Sequence, residues 1–303
     1  MKNQLIPHEE VVNKEPKTLI IGFGWVGEHV KKYFDQADVY SIDIGLKLSN
    51  DEIIALEKLD EWVINNNPYW EMGIICVPTP ETKTGKCDIS KVEENIKKWK
   101  DFVEIFVIKS TVEVGTTDYL RMKYDVPIVF SPEYLGETKD HPMNTFFRGE
   151  FLIFGGEKED TRKIVRLWKK VVTAEAKLVQ TDAKTAELCK YMVNSFLAMK
   201  VLFCNEFFNI AESVGVNYDE LREIFLLDKR MNPSHTLVYE ENRGYGGKCL
   251  PKDVKAIQKN AEESGYQAKL LEFIQKYNEE FRNENTRNTN TKKKVEHQYQ
   301  RAF

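Results

Sequence analysis

The sequence predicts an α/β protein in which a doubly wound parallel sheet is followed by an all-helical dimerisation domain with one long helix. Over residues 17–180, short apolar runs alternate with helical patterns, which is typical of parallel sheets. A glycine-rich turn follows the first of these runs, and the later stretch from Asp182 to Val214 contains neither proline nor glycine. The 303 residues agree with two domains, since domains commonly have roughly 100–200 residues.

Six apolar runs are predicted to be the strands of the sheet. Helical patterns extend from the glycine turn through Phe34, from about Asp51 to Asn65, and from Lys91 to Phe102. Because helices separate consecutive strands, we expect the strands to pair in parallel, with helices on both faces. The predicted strands are Thr18–Ile21, Val39–Asp43, Gly73–Val77, Ile105–Ile108, Pro127–Phe130 and Phe151–Phe154.

The later part of the chain has a helical pattern with one dominant element. A helix from Asp182 to Val214 would be ~50 Å long at about 1.5 Å per residue. This is more than a small sheet domain covers, so we expect it to form the spine of the helical domain and a homodimer interface. Shorter helices are predicted at Tyr218–Leu227, about Pro251–Ser264 and Ala268–Phe281. The predicted organisation is a polar leader (1–16), a sheet domain (17–180), a helical domain (181–282) and a disordered tail (283–303).

The composition argues against several functional classes. Lys and Arg number 44 against 48 Asp and Glu, so no net positive field would attract nucleic acid. No apolar run reaches the ~18–20 residues of a membrane span, and the first residues have no signal-peptide pattern. Five dispersed cysteines without a Cys-x-x-Cys pair indicate neither a disulfide framework nor a zinc site. We therefore expect a cytoplasmic protein without a metal and without nucleic-acid or membrane partners.

The segment Gly22–Gly27 has the Gly-x-Gly-x-x-Gly pattern of a dinucleotide-binding turn, between a predicted strand and a predicted helix. Gly22 permits the tight turn, Gly24 lets the backbone approach a pyrophosphate, and Gly27 allows close packing of helix and strand. Asp43, at the end of the second predicted strand, would accept hydrogen bonds from the adenosine ribose and repel a 2′-phosphate. The pattern predicts a Rossmann-type domain that binds NAD rather than NADP; a glycine turn without a ligand is the alternative.

Two other loops follow predicted strands at the edge where open α/β sheets bind ligands. They contain Pro78–Thr79 and Ser110–Thr111, for which ordinary strand–loop punctuation is the alternative. Besides the three glycines and Asp43, the residues expected at the cofactor are Trp25, Val26, Lys47, Val77, Pro78, Thr79, Ser110 and Thr111.

Cys249 is the candidate nucleophile. It follows the glycine-rich residues 244–247 and Lys248, and Pro251 places it just before a predicted helix start. A helix N-terminus and a neighbouring lysine both lower the pKa of a thiol, so we expect a reactive cysteine here. An inert buried thiol is the alternative.

Lys190 and Asn194 are four residues apart on the long predicted helix, so they share one face. Their surroundings are mainly apolar, and the pair is suited to polarising a substrate oxygen. A lysine that extends to solvent beside a surface asparagine is the alternative. Glu133 follows a predicted strand at the catalytic edge, where a capping or solvated carboxylate is the alternative to a catalytic one.

Taken in order, these segments resemble the nucleotide-sugar dehydrogenases that oxidise the C6 alcohol of UDP-glucose or GDP-mannose to a carboxylate. The resemblance covers about Thr18 to Phe281. Each motif alone is modest, and the ordered set is specific. The motifs are Gly22–Gly27, Cys76–Pro80, Lys109–Val112, Ser131–Leu135, Glu187–Tyr191 with Asn194, Asn205–Glu206 and Gly244–Asp253.

The resemblance implies covalent chemistry on a nucleotide sugar, with UDP-glucose as the expected substrate and a uronic acid for polysaccharide as the product. A first hydride transfer to NAD gives an aldehyde, which Cys249 attacks to form a thiohemiacetal. A second hydride transfer gives a thioester that water hydrolyses, so two oxidations at one carbon share one covalent anchor.

The resemblance also assigns supporting roles. Lys190 and Asn194 would stabilise the developing oxyanion. Asp253, Thr111 and Glu133 would hold or activate the water and move protons. The residues expected at the substrate are Glu133, Tyr134, Leu135, Lys190, Asn194, Tyr245, Gly246 and Arg230, the last reaching into the neighbouring subunit's site.

Three departures from the family pattern leave alternatives open. Family chains continue into a third domain that binds the nucleotide, whereas we expect this chain to lack it, and a separate chain that supplies it is one alternative. The stretch from Asp43 to Cys76 is short, and Lys248 stands where the family often has Ser. The competing hypotheses are a two-domain β-hydroxyacid dehydrogenase, against which Cys249 argues, and a non-catalytic NAD-binding dimerisation module.

Overall fold

The computed structural model describes residues 15–136 and 151–283. The chain divides into two compact units, the first formed by Met1–Thr79 and Ile89–Glu187, the second by Pro80–Asp88 and Leu188–Phe303. The boundary between the units, at Glu187 and Leu188, thus falls inside the long predicted helix. The short segment Pro80–Asp88, from the first half of the sequence, belongs to the second unit. The domain limits expected from the sequence stay predictions. The polar leader (1–16) and the tail (283–303) lie outside the described residues, except for 15, 16 and 283.

A nine-stranded sheet forms the first unit, with the strand order β4-β3-β2-β1-β5-β6-β7-β8-β9. The pairs β1–β2, β1–β5, β5–β6, β6–β7 and β8–β9 are parallel, and the pairs β2–β3, β3–β4 and β7–β8 are antiparallel. The doubly wound class is confirmed, with the correction that the sheet is mixed. The strands are β1 (Thr18–Ile21), β2 (Asp38–Ser41), β3 (Gly45–Lys47), β4 (Ile53–Ile54), β5 (Met72–Ile75), β6 (Phe106–Ile108), β7 (Ile128–Phe130), β8 (Phe151–Gly155) and β9 (Lys177–Thr181).

Helices accompany the strands and then replace them. Among the described residues of the first unit they are α1 (Trp25–Lys31), α2 (Leu56–Asn66), α3 (Ser90–Trp99), α4 (Thr116–Tyr124) and α5 (Lys158–Trp168). The long helix α6 (Ala183–Ser213) confirms the element predicted from Asp182 to Val214. It is followed by α7 (Tyr218–Phe225), α8 (Leu250–Glu263) and the helical residues 269–283, here α9.

Both faces of the central sheet are buried. In β1, Leu19 and Ile21 pack into one apolar cluster while Ile20 packs into another. In β5, Ile75 and Ile74 divide between the same two clusters. Strands covered on both faces are continuous apolar runs rather than alternating ones, which is why the sequence marks them clearly.

The helix predicted to begin at Asp51 begins at Leu56 instead. Ile53 and Ile54 form β4, which pairs with Lys47 and Leu46 of β3. The three residues that join β2 to β3 are too few for the crossover that a parallel pair needs, so the chain forms antiparallel strands here. The β-branched side chains of Ile53 and Ile54 favour a strand. Their position in the apolar pattern that continues into α2 also fits a helix, which is why the sequence predicts one.

The strand β9 was not predicted. None of its residues is buried, and it contains only two apolar residues, Leu178 and Val179, so no apolar run marks it. It is held by parallel pairing with β8 along its whole length, from Phe151↔Lys177 to Gly155↔Thr181.

The second unit packs around α6. Its main apolar cluster joins Ala198 and Leu202 of α6 to Val254 of α8 and to Ile274 and Phe281 of α9. In the described residues, no helix combines the length and the apolar character needed to cross a membrane.

The segment 80–88 belongs to this helical unit. Glu81 and Cys87 form an isolated antiparallel bridge. Ion pairs join Glu81 to Lys255 and Lys86 to Glu263, so both ends of the segment lie against α8. The Cys87 Sγ lies 3.4 Å from the Tyr191 hydroxyl on α6.

Candidate active site

The glycine turn at the start of the first unit has a distinct constraint at each glycine. Gly22 has φ +92°, and a Cβ there would lie 2.9 Å from the Cys76 carbonyl carbon and oxygen. A Cβ on Gly27 would lie 2.1 Å from the Gly22 carbonyl oxygen. A Cβ on Gly24 would meet no protein atom within 4 Å. Protein packing therefore explains Gly22 and Gly27, whereas Gly24 leaves the backbone open to close approach, which is what a pyrophosphate requires.

The two residues after Gly24 open α1 and are half-buried. The Trp25 indole N–H donates to the Gly136 carbonyl oxygen at 2.8 Å, and its ring packs edge-on against His29. Val26 packs on one of the apolar clusters of the sheet. Trp25 therefore ties the turn to the loop that follows β7.

Asp43 lies in the exposed turn between β2 and β3, two residues beyond the end of β2. The sequence had placed it at the strand end, and the pairing of β2 with β3 shortens the strand. Lys47 lies on β3, and its Nζ is 2.8 Å from the Asp51 carboxylate. The lysine therefore has a partner within its own hairpin, in an exposed ion pair that contributes little to stability.

Hydroxyl groups join the loops after β5 and β6. Ser110 Oγ donates to the Val77 carbonyl oxygen at 2.6 Å, and Thr79 Oγ1 donates to the Thr111 carbonyl oxygen at 2.7 Å. Thr79 and Ser110 are both buried. The structure thus brings together Val77, Pro78 and Thr79 with Ser110 and Thr111, as expected for neighbouring parallel strands.

Lys109, directly after β6, is a buried cation that no local sequence pattern marks. Its Nζ lies 3.1 Å from Ser131 Oγ, 3.5 Å from Glu133 Oε2 and 5.3 Å from the centre of the Trp168 ring. Burial raises the pKa of the adjacent Cys76 thiol to about 12, so that thiol is neutral, and Glu133 supplies the negative charge. A buried ammonium without such a partner is costly.

Glu133 lies in the loop after β7, where its carboxylate bonds the backbone of the next residue. Its Oε1 accepts a hydrogen bond from the Tyr134 backbone N–H at 2.9 Å, and the Tyr134 ring packs against Phe151. Leu135 is half-buried beside them.

Glu187 is a second buried charged residue that no local sequence pattern marks. It is completely buried on α6, where its carboxylate accepts hydrogen bonds from the Gly115 and Thr117 backbone N–H groups and from Thr117 Oγ1. Burial raises its pKa to about 7, against the lowering effect of these hydrogen bonds.

In the second unit, the structure places Cys249 at the N-cap of α8, with Pro251 in the first turn, as the sequence predicts. Its thiol is exposed. The glycine before the cysteine loop is required by packing. Gly244 has φ +76°, and a Cβ there would lie 2.6 Å from Asn278 Oδ1 on α9. The same oxygen accepts the Tyr245 backbone N–H at 2.7 Å, which anchors the loop.

A polar network lies one turn beyond Cys249 in α8. Asp253 is buried and accepts a hydrogen bond from Asn194 Nδ2 at 2.6 Å. Lys252 Nζ lies 2.5 Å from the other carboxylate oxygen and 3.7 Å from the Cys87 Sγ. Burial lowers the pKa of Lys252, but the charge and hydrogen bond of Asp253, together with Cys87 and Cys249, outweigh it, so the pKa lies above its usual value. The structure therefore joins Asn194 to Asp253, and adds Lys252, which the sequence analysis had not assigned.

Three predicted substrate residues have other surroundings. Tyr245 is a core residue, and burial raises its pKa to about 12. A Cβ on Gly246 would lie 3.3 Å from Arg282 Nη1. Arg230 is exposed and forms an ion pair with Asp228, two residues away. Substrate contacts from these three stay predictions, as does the role of Lys190, which is half-buried one turn before Asn194 on α6.

No group of three or more His, Cys, Asp or Glu side chains suited to a metal ion occurs in the part of the chain that the structure describes.

Comparison with known proteins gives two matching family models. Residues 68–172 match the NAD binding domain of the UDP-glucose/GDP-mannose dehydrogenase family, and residues 184–280 match its central domain. The UDP-glucose 6-dehydrogenase of Rickettsia bellii is 32% identical over 219 residues, which is 69% of this chain and 49% of that protein. The chain thus spans about half the length of this curated relative.

Solved structures show the same fold. A UDP-glucose dehydrogenase from Pyrobaculum islandicum matches with a TM-score of 0.70 and 23% identity, over 91% of this chain and 70% of that one. The 3-hydroxyisobutyrate dehydrogenase of Mycobacterium tuberculosis matches with a TM-score of 0.57 and 14% identity, over 87% of this chain and 93% of that one. The fold is therefore shared with a UDP-glucose dehydrogenase and with a 3-hydroxyisobutyrate dehydrogenase.

Proposed function

The chain belongs to the UDP-glucose/GDP-mannose dehydrogenase family, and we propose that it oxidises a nucleotide sugar at C6 to the uronic acid, with NAD as the oxidant. UDP-glucose is the proposed substrate because curated relatives carry that activity in their names. The observation that carries the proposal is the exposed Cys249 thiol at the start of α8, with the buried Asp253 one turn later.

NAD would be held by the Gly22–Gly27 turn, by Asp43 and by the joined loops that carry Thr79 and Ser110. The open backbone at Gly24 fits a pyrophosphate, and the exposed Asp43 carboxylate fits the ribose hydroxyls of NAD better than a 2′-phosphate. When bound, NAD accepts a hydride from the substrate carbon.

Cys249 supplies the covalent step. Loss of a hydride and a proton from the C6 alcohol leaves an aldehyde, and the Cys249 sulfur adds to its carbonyl carbon to give a thiohemiacetal. Loss of a second hydride and a proton leaves a thioester. Water then adds to the carbonyl, the carbon–sulfur bond breaks, and the acid and the free thiol result.

The network beyond Cys249 suits the proton transfers and the charge on oxygen. An amide nitrogen carries two N–H groups, and Asn194 uses one of them on Asp253, which leaves the second for an oxyanion. Lys190, one turn earlier on the same helix, would add positive charge. The Asp253 carboxylate is held between Asn194 and Lys252. A carboxylate that is held in one orientation is suited to orienting the attacking water. Thr111 and Glu133 are the further candidates for handling the water.

We also propose a homodimer formed along α6. One stripe of the helix carries apolar side chains that are exposed in the single chain, at spacings of three, four and seven residues that keep them on one face. Light scattering should therefore give a dimer. A separate chain that supplies a nucleotide-binding domain stays a prediction, as does a cytoplasmic location. The stripe consists of Leu188, Met192, Phe196, Phe203, Phe207 and Ile210.

The number of NADH molecules formed per UDP-glucose tests the proposed reaction. Two are expected, with the uronic acid as product, because oxidation of an alcohol to an acid removes two hydrides. One NADH per substrate, or turnover only with a small β-hydroxyacid, would instead favour the β-hydroxyacid dehydrogenase class, whose fold this chain shares. NAD binding without turnover of either substrate would favour a binding module.

A further inference from the structure

Glu187 is a buried carboxylate whose surroundings require an explanation. It exposes none of its surface, and its neighbour Ala186 packs into an apolar cluster of the sheet. A carboxylate in such a place is costly unless hydrogen-bond donors replace water. All the partners of Glu187 described here belong to the first unit.

The donors come from the start of α4. Gly115 N donates to Oε2 at 2.6 Å, while Thr117 N and Thr117 Oγ1 donate to Oε1 at 2.9 and 2.6 Å. The first N–H groups of a helix lack partners within it, and a side chain at the N-cap usually accepts from them. The N-cap of α4 is Gly115, which has no side chain, so Glu187 performs this task from about 70 positions later in the chain.

The loop that ends at Gly115 begins with Ser110 and Thr111, and its beginning is tied separately. Ser110 Oγ bonds the Val77 carbonyl oxygen, and the Thr111 carbonyl oxygen accepts from Thr79 Oγ1. The loop is thus held at its first residues by the loop that follows β5 and at its last residue by Glu187.

We propose that Glu187 is a positioning residue for the loop that carries Ser110 and Thr111, and that its charge state sets how firmly this loop is held. The inference rests on the proposed function, in which Ser110 and Thr111 contact the cofactor or the water. Glu187 acts on the site through the loop and touches neither.

The charge state follows from the geometry. An ionised carboxylate accepts at both oxygens, whereas a neutral acid turns one of them into a donor. We expect the proton on Oε2, which accepts one hydrogen bond where Oε1 accepts two. A hydroxyl oxygen is a weaker acceptor than a carboxylate oxygen, so protonation weakens the hydrogen bond from the Gly115 N–H. Burial raises the pKa of Glu187 to about 7, and the loop is held more firmly above that pH than below it.

The charged groups around Glu187 come from three elements. Asp118 lies in the first turn of α4 and raises the Glu187 pKa. Lys184 lies on α6, with its Cε 3.9 Å from the position of a Cβ on Gly115. Glu113 lies in the loop itself. Removal of the Asp118 charge should therefore lower the transition pH without abolishing it.

The Gly115 and Thr117 backbone amides report this directly in a 15N–1H NMR titration of the whole chain without cofactor, over roughly pH 5.5 to 8.5. In the parent, the Gly115 amide signal should shift with a midpoint near pH 7, by more than the Thr117 signal. The shift should vanish in Glu187→Gln and persist, at a lower midpoint, in Asp118→Asn. A Gly115 signal that does not titrate in the parent would overturn the inference, whether or not the glutamine variant folds. Thr117→Val is a second variant. It removes the hydroxyl that donates to the ionised Glu187 carboxylate, so the midpoint of the Gly115 shift should move to higher pH.

The affinity for NAD over the same pH range tests the consequence for the site. In the parent it should fall about fivefold or more as the pH drops through 7. Glu187→Gln should show, at every pH, the weaker affinity that the parent shows at low pH. An affinity that is independent of pH in the parent would show that Glu187 only caps α4, and would overturn the positioning role. If the parent binds no NAD at any pH, the proposed function fails, while the amide titration still decides whether Glu187 controls the loop.

Discussion

The two glycine-rich loops of the molecule look alike in sequence and differ in what surrounds them. In Gly22–Gly27, the two outer glycines are required by close backbone approach, and Gly24 between them faces open space. In the loop before Cys249, Gly244 is crowded by Asn278 and Gly246 by Arg282, both on α9. The first loop is shaped to let a ligand approach its backbone. The second is packed against its own unit, so that it holds the cysteine at the start of α8.

Gly27→Ala should have the largest effect on stability. The new Cβ would lie 2.1 Å from the Gly22 carbonyl oxygen. Because neither a Cβ nor a backbone oxygen can rotate away from the contact, the turn itself would have to move. Overpacking of this kind costs about 3 kcal/mol at the upper end of its range. For a unit of this size the loss corresponds to a fall of about 6 to 12 °C in the melting temperature.

Gly24→Ala is the matched control in the same turn. A Cβ there meets no protein atom within 4 Å, so thermal unfolding should match the parent to within about 0.5 kcal/mol. Equal melting temperatures for the Gly27→Ala variant and the parent would contradict this description of the turn.

Gly244→Ala should have the next largest effect. Its φ of +76° costs an L-residue about 1–2 kcal/mol, and the added methyl group would displace the Asn278 amide that anchors Tyr245. Gly215→Ala is the control, because Gly215 has φ +74° and no atom near its missing Cβ. The difference between the two variants in unfolding free energy isolates the contact with Asn278. No difference would mean that backbone strain alone explains the glycine.

Gly24→Ala should lower the affinity for NAD rather than the stability of the fold. A methyl group at the open backbone position would block the approach of the pyrophosphate, so the affinity for NAD should fall at least tenfold, about 1.4 kcal/mol. Calorimetric titration of the parent and the variant measures this. An unchanged affinity would remove the reason for assigning the open side of the turn to the cofactor.

Several elements could be predicted because local pattern decides them. The strand β1 has the predicted limits, and α6 differs by one residue at each end, since no glycine or proline interrupts it. Pro251 was enough to place Cys249 at a helix start. In each case neighbouring residues in the chain carry the information.

The parts that could not be predicted depend on distant partners. The bond between Asn194 and Asp253 spans 59 residues, and no local pattern marks it. Lys109 and Glu187 looked like ordinary charged residues, because burial of a charge becomes visible only once its partners are in place. The strand β4 could not be predicted because the spacing of Ile53 and Ile54 also fits a helix, and the three-residue β3 is defined by its antiparallel pairing with β2.

The central claim is that Cys249 forms a covalent intermediate, and rapid quenching of a single turnover tests it most directly. Enzyme in excess over UDP-glucose, with NAD present, is stopped in acid, digested and examined by mass spectrometry. A uronyl thioester, removed by hydroxylamine, should be found on the peptide that contains Cys249 and on no peptide containing the buried Cys87 or Cys204. Cys249→Ser should form neither this adduct nor the uronic acid at the parent rate. Two NADH formed per sugar with Cys249 unmodified throughout, and a serine variant as fast as the parent, would contradict the account.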